Sequence, residues 1–260
     1  MTGFPAGAHR EGMTAIPDTA TALRLRDLRK EYRVGQQTVI ALDGVTLDLP
    51  RGSFTAVMGP SGSGKSTLLH CAAGLDRPDS GTVELAGAPL GGLSERALTK
   101  LRRDRAGFVF QAFNLMPSLT AAQNVSLPLR LAHRRPALTQ VEGALAAVGL
   151  AERAGHRPAE LSGGQQQRVA VARALVTSPD VLFADEPTGA LDTKSSHQVM
   201  GLLRQLVDEH GQTVVMVTHD PVVAAWADRV VFLCDGRIAG QLYHPTPETV
   251  ANRLAHLEDA

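Results

Sequence analysis

Residues Gly59-Pro60-Ser61-Gly62-Ser63-Gly64-Lys65-Ser66-Thr67 combine closely spaced glycines with a lysine and hydroxyl side chains. Glycine lets the backbone approach an anion without a Cβ in the way, so that successive N–H groups turn inward. A helix opening at Lys65 adds the positive end of its dipole. This is chemistry for a triphosphate: Lys65 is placed to reach the β- and γ-phosphates, and Ser66 to offer its hydroxyl to Mg2+.

Further along the chain stand groups that such a ligand needs if it is to be cut. Asp185-Glu186 ends the apolar run Val181-Leu182-Phe183-Ala184. A carboxylate at the C-terminal end of a strand faces the ligand crevice of an open α/β sheet. Asp185 is assigned to Mg2+ through water, and Glu186 to orienting and polarising the attacking water. Gln111 follows Phe108-Val109-Phe110, and its amide suits the metal or the water. His219 follows Val214–Val217 and is a candidate donor to the γ-phosphate. Leu161-Ser162-Gly163-Gly164-Gln165 opens a helix, with Ser162 as N-cap and the paired glycines leaving N–H groups bare, which makes a second anion site. Taken singly, an acidic pair is often a helix cap, a lone histidine a structural residue, and a Ser-Gly-Gly an ordinary helix start. Their occurrence in this order in one chain gives them weight.

The elements that must position these groups can be read from pattern. Leu23 to Leu28 alternates as a strand, and Val45, Leu47 and Leu49 share one face of another. Phe54–Met58 runs straight into the glycine-rich loop, and the following helix stops near Gly74, with Pro78 beyond it. From about 91 to 165 the pattern turns mostly helical, as at Ser94–Asp104 and Leu138–Leu150, around a strand at Gly107–Phe110. After Gly164 come a helix to Val176, strand Val181–Asp185, helix Asp192–His210, strand Thr213–Thr218, a short helix from Pro221, and strand Val230–Cys234. Alternation of this kind predicts a parallel sheet with helices on its faces. The expected division is a lead-in over 1–20, a main domain over 21–244 and a short tail over 245–260, with a helical pattern at Val250–Leu257.

Composition narrows the classes. The 260 residues are 43% hydrophobic and 20% charged, and 26 basic residues balance 26 acidic ones. A neutral chain argues against a nucleic-acid partner held by bulk positive charge. The basic run Lys100, Arg102, Arg103, Arg105 reads as a solvated or salt-bridged helix face. Cys71 and Cys234 are the two cysteines, which fits a reducing compartment. No apolar run reaches the ~20 residues that cross a bilayer.

These motifs resemble the ATPase domain of ATP-binding-cassette (ABC) proteins, from about Leu23 to Leu242. Ser162–Gln165 matches the cassette signature, Ala190-Leu191-Asp192 resembles the D-loop, and Tyr32 resembles the aromatic that stacks on adenine. Gly107-Phe-Val-Phe-Gln111-Ala-Phe-Asn-Leu115, Asn124-Val-Ser-Leu-Pro128-Leu and Asp185-Glu-Pro-Thr-Gly189-Ala-Leu-Asp192 are similar to the macrolide-exporter and lipoprotein-release branch (MacB and LolD type). The resemblance implies a P-loop NTPase core of the RecA-like kind with a mostly parallel sheet, an N-terminal antiparallel β subdomain and an inserted α-helical subdomain. It implies ATP and Mg2+ as cofactors. It also implies a head-to-tail second ATPase subunit, in which Ser162, Gly163, Gly164, Gln165 and Asp192 of one copy close over the nucleotide of the other. Separate transmembrane permease subunits would carry the pathway and hold the chain at the cytoplasmic face of the membrane. Phe113, Leu115 and Met116 are candidates to dock a permease helix. A cell-division regulator of the FtsE kind and an importer ATPase are the alternatives. A repair protein would need a long coiled coil between Gly91 and Leu161, and a translation factor a second cassette.

Overall fold

In a computed structural model of the chain the described residues are 21–35 and 37–258; the lead-in expected at 1–20 lies outside them. β1 (Thr21–Val34) and β2 (Gln37–Pro50) form an antiparallel pair. Leu23, Leu25 and Leu28 of β1 and Val45, Leu47 and Leu49 of β2 are buried. The step from 25 to 28 is a register shift at Asp27, whose φ of 47° lies in the left-handed region. The irregularity lets Leu28 return to the inner face.

β3 (Phe54–Met58) has all five residues buried, as a strand covered on both faces must. It leads through the glycine-rich loop into α1 (Lys65–Ala72). β4 (Ser80–Leu85) and β5 (Ala88–Pro89) complete the first sheet, in the order β2-β1-β4-β5. α2 (Glu95–Arg105), β6 (Ala106–Phe110), α3 (Ala121–Leu131), α4 (Leu138–Ala147) and α5 (Gly163–Leu175) follow. Then come β7 (Val181–Asp185), α6 (Thr193–His210), β8 (Thr213–Val217), α7 (Pro221–Ala224), β9 (Arg229–Cys234), β10 (Arg237–Tyr243) and α8 (Pro247–Glu258). The second sheet has the order β10-β9-β3-β8-β7-β6, parallel throughout except for β10.

Because successive side chains of a strand point to opposite faces, this sheet feeds two cores. Val57, Phe183, Val215 and Leu233 join α1 and the first sheet. Their neighbours Met58, Leu182, Met216 and Phe232 join the helices of the other side, with Val169 of α5, Leu203 of α6 and Val250 of α8. Leu98 of α2 lies in the first core, whereas Val125, Leu145 and Val169 of α3, α4 and α5 lie in the second. The helical stretch expected from about 91 to 165 is therefore split between two faces. The basic run of α2 is engaged locally: Arg102 donates to the Gly74 carbonyl at 2.5 Å, and Arg105 to Asp180 at 3.0 Å.

Four elements were not legible in the sequence. α3 carries Pro128 inside it, which breaks the periodic pattern and removes a backbone donor. It is held instead by a capping box between Thr120 and Gln123. β4 and β5 are short, and of their residues only Val83 and Leu85 are buried. β10 is an edge strand with Gly240 at an irregularity, so few of its residues are driven inward. Among the described residues, no helix is long and apolar enough to cross a membrane.

Candidate functional site

The glycine-rich loop leaves β3 at the C-terminal edge of the parallel sheet. Gly64 caps α1 with φ 98°, and a Cβ there would stand 2.1 Å from the Ala41 carbonyl oxygen. Only glycine fits that turn. No side chain caps α1, whereas Ser94, Thr120, Ser162 and Asp192 cap α2, α3, α5 and α6. No side chain therefore takes up the first N–H groups of α1. Lys65 Nζ donates to the carbonyls of Gly59 at 2.9 Å and Pro60 at 2.7 Å. Burial pushes the Lys65 pKa down, against the pull of Glu186 and Asp185.

Those carboxylates come from two strands away. β8 lies between β3 and β7, and Asp185 pairs in register with Val217. Burial raises the Asp185 carboxyl, and Glu186 adds to this, while His70 and Lys65 pull the other way. Glu186 turns sharply, with φ 47°, and its N–H donates to the Val217 carbonyl at 2.9 Å. His219 Nδ1 then stands 3.0 Å from Glu186 Oε1. An ionised carboxylate only accepts, so this nitrogen carries the proton. Beside the pair opens a cleft of about 430 Å3, lined by Glu186, Gly189, His219 and Trp226 among others.

Gln111 follows β6, whose Phe110 pairs with Asp185. A Cβ on Gly189 would lie 2.8 Å from Gln111 Nε2, so the amide rests on the turn after Glu186. The loop from Gln111 to Thr120 is pinned at both ends. Arg173 of α5 donates to the carbonyls of Phe113, at 3.0 Å, and of Asn114. Buried Asn124 accepts from Met116 N–H at 2.8 Å and donates to the carbonyls of Met116, Leu119 and Thr120. Leu115 packs on the core, Phe113 is half-buried and Met116 is 49% exposed. Of the three docking candidates, local packing takes up the first.

Ser162 Oγ accepts from Gln165 N–H at 3.3 Å, and Gln165 Oε1 accepts from Ser162 N–H at 2.9 Å. A Cβ on Gly164 would stand 2.7 Å from Ser195 Oγ, and one on Gly163 would stand 3.5 Å from Leu191 Cδ2. Asp192 caps α6, accepting from Ser195 N–H at 2.9 Å and Ser195 Oγ at 2.8 Å. The Ser162 loop thus packs on residues 191–195 and on Phe113; the atoms nearest its glycines come from neither Lys65 nor its loop.

Besides Arg173, one further organising residue escaped the sequence reading. Gln167 is fully buried, donates to the carbonyls of Phe110 at 3.2 Å and Pro187 at 2.5 Å, and has an Oε1 without a partner. It sutures β6 to the turn after β7. Within Gln165-Gln166-Gln167 residue type does not set it apart. Its signal was spacing: Gly164, Gln167, Val171 and Ala174 are all buried and fall on one helical stripe.

Tyr32 stands on β1 and is 37% exposed, so it is not a core residue. Its hydroxyl donates to Asp76 Oδ2 at 2.7 Å.

The sequence profile described as ABC transporter matches residues 42–189. The chain belongs to the ABC transporter family. It is the family's ATP-binding domain, an ATPase, and its two sheets and helical layer are the ABC ATPase fold. An uncharacterized ABC transporter ATP-binding protein of Methanocaldococcus jannaschii, MJ0796, is 47% identical over 223 residues, covering 83% of this chain and 94% of that one. The macrolide export ATP-binding/permease protein MacB of Escherichia coli O157:H7 is 48% identical over 218 residues, covering 83% of this chain. This ABC domain spans only 34% of that longer MacB. The solved dimer of MJ0796 in a post-hydrolysis state with ADP and Pi superimposes with a TM-score of 0.78 at 43% identity, covering 86% of this chain and 99% of that one.

Proposed function

We propose that two copies of the chain close head to tail around ATP and part when it is hydrolysed, driving a separate permease of the MacB and LolD type. The observation that carries this reading is the outward position of the Ser162 loop. Ser162 is exposed, and Gly163 and Gly164 beside it are backed by Leu191, Phe113 and Ser195 of the same chain, so the triphosphate this loop faces belongs to another copy. The dimeric state of the MJ0796 cassette supports it.

In each half-site the residues have separate tasks. Gly59 to Thr67 wrap the triphosphate with backbone donors, and Lys65 leaves its loop carbonyls to bind phosphate oxygens. Glu186 holds and polarises the attacking water, and His219 bonds the Glu186 carboxylate through Nδ1–H and turns that donor to the γ-phosphate when ATP binds. Gln111 senses the same turn from the neighbouring strand. Tyr32 carries the base. Ser162 to Gln165 and Asp192 of the partner complete the enclosure.

Among the described residues no cluster of three or more His, Cys, Asp or Glu stands ready to hold a metal. Ser66, Gln111 and Asp185 instead offer scattered hard oxygen donors, which suit a cation already carried by phosphate oxygens. Mg2+ held there would neutralise phosphate charge.

For the permease we propose a groove of about 490 Å3 bordered by Phe108, Phe110, Leu127, Leu131, Arg102 and Arg173. Leu131 is 73% exposed, an apolar side chain that a docked helix would cover. Arg173 also holds the Gln111 loop, so a partner here feels the nucleotide site directly. Docking would place the chain at the cytoplasmic face of the membrane.

Size-exclusion chromatography of Glu186→Gln with and without ATP tests the reading. A shift to dimer on ATP addition supports it; a protein that stays monomeric at saturating ATP, with its permease present, refutes it.

A further inference from the structure

Tyr32 stands near the C-terminal end of β1, where an exposed ring has little packing to hold its plane. A stacking platform needs a fixed plane and a fixed distance from the phosphates. Three polar contacts supply both. The Tyr32 hydroxyl donates to Asp76 Oδ2 at 2.7 Å. Lys30 Nζ donates to Asp76 Oδ1 at 2.9 Å and to the Arg77 carbonyl at 2.7 Å. The same ammonium lies 5.2 Å from the Tyr32 ring centroid, a cation–π distance.

Asp76 is not an arbitrary neighbour. It sits just past α1, with its N–H on the His70 carbonyl at 3.2 Å. Asp79, three residues on, is pinned to β1: its N–H donates to the Arg29 carbonyl at 2.8 Å, and its carboxylate accepts from Glu31 N–H at 2.6 Å. Asp76 is therefore rigid relative to α1, the helix whose first turn receives the phosphates.

We propose that Asp76, with Lys30, is a positioning residue for the base: it locks the Tyr32 ring at a set plane and distance from the phosphate loop. This rests on the reading of Tyr32 as the base platform. The charges agree with a standing lock. Burial pushes the Asp76 carboxyl up, but bonds from Tyr32, Lys30 and Arg77 N–H outweigh it and hold it below its ordinary value. Burial pulls Lys30 down, yet Asp76 leaves it raised overall. The lysine lies over one face of the ring.

The test compares a non-hydrolysable ATP analogue with inorganic tripolyphosphate, which has no base, by calorimetry on the full chain. Asp76→Ala and Tyr32→Phe should each weaken the analogue by about tenfold or more, the loss of a bond to a charged acceptor. Both should bind tripolyphosphate like the parent. The double variant should be no worse than Asp76→Ala alone, because Tyr32→Phe removes a bond that Asp76→Ala already breaks. Equal weakening of the two ligands, or additive losses in the double variant, would overturn the lock. Tyr32→Ala separates the levels. If it loses analogue affinity while Asp76→Ala and Tyr32→Phe do not, the platform stands and the lock falls. If Tyr32→Ala binds both ligands like the parent, the platform itself is refuted.

Discussion

Glu186 Oε1 and His219 Nδ1 stand 3.0 Å apart, on loops that leave adjacent parallel strands. The backbone turn at Glu186 that makes this possible has a left-handed φ and is tied to β8 through the Val217 carbonyl. A side chain held in this way is prepared for a fixed water position. Glu186→Gln should lower kcat by about 100-fold or more, the usual worth of a positioned base, while ATP binding persists. His219→Ala should lower kcat in the same direction with little change in nucleotide affinity. Steady-state ATPase assays beside binding titrations separate the two effects.

Gly164 is closed in by Ser195, which is itself fixed by two bonds to Asp192. Gly164→Ala must push the start of α6 away. Overpacking of this kind costs about 1–3 kcal/mol. Urea denaturation should show that loss, and ATP-dependent dimerisation should weaken beyond it, since the displaced residues face the partner.

Fully buried Gln167 donates to the carbonyls of Phe110 and Pro187. Gln167→Leu keeps the bulk and leaves those acceptors unpaired, at about 1–3 kcal/mol. The midpoint of denaturation should fall while the slope stays constant. The same variant should loosen Gln111 from the turn after Glu186, and hydrogen exchange at residues 186–189 should quicken.

Much of this site was legible because its chemistry is local. The strand Phe54–Met58, the helix opening at Lys65 and the Ser162 cap are short-range consequences of a few residues, and the structure places them as read. Gln167 and Arg173 were not legible. Each acts on carbonyls more than fifteen positions away, at Phe110, Pro187, Phe113 and Asn114. No pattern within one helix announces which distant loop it will hold. α3 was hidden by Pro128, and β10 by its edge position.

Lys65 provides a pH test. Its apo pKa is lowered by burial despite the nearby Glu186 and Asp185. Bound phosphate favours the charged amine, so binding must recover a proton once pH rises above that lowered value. Affinity for ATP should then decline at a pH below the ordinary lysine value of 10.5. The sign for stability is opposite: the apo fold sheds a buried charge as pH rises through the same window and gains stability from this group. Titrations against pH should show the decline in the parent chain and none in Lys65→Arg, whose guanidinium stays charged across the window.

The claim that one triphosphate is shared between two copies is tested most directly by mixing two inactive proteins. Lys65→Ala lacks a working phosphate loop but keeps its Ser162 loop; Ser162→Arg lacks the latter and keeps the former. Each should fail to hydrolyse ATP alone, and the mixture should recover activity, because one composite site in the mixed dimer draws an intact half from each chain. A mixture as inactive as its components, measured with the permease present, would contradict the shared site.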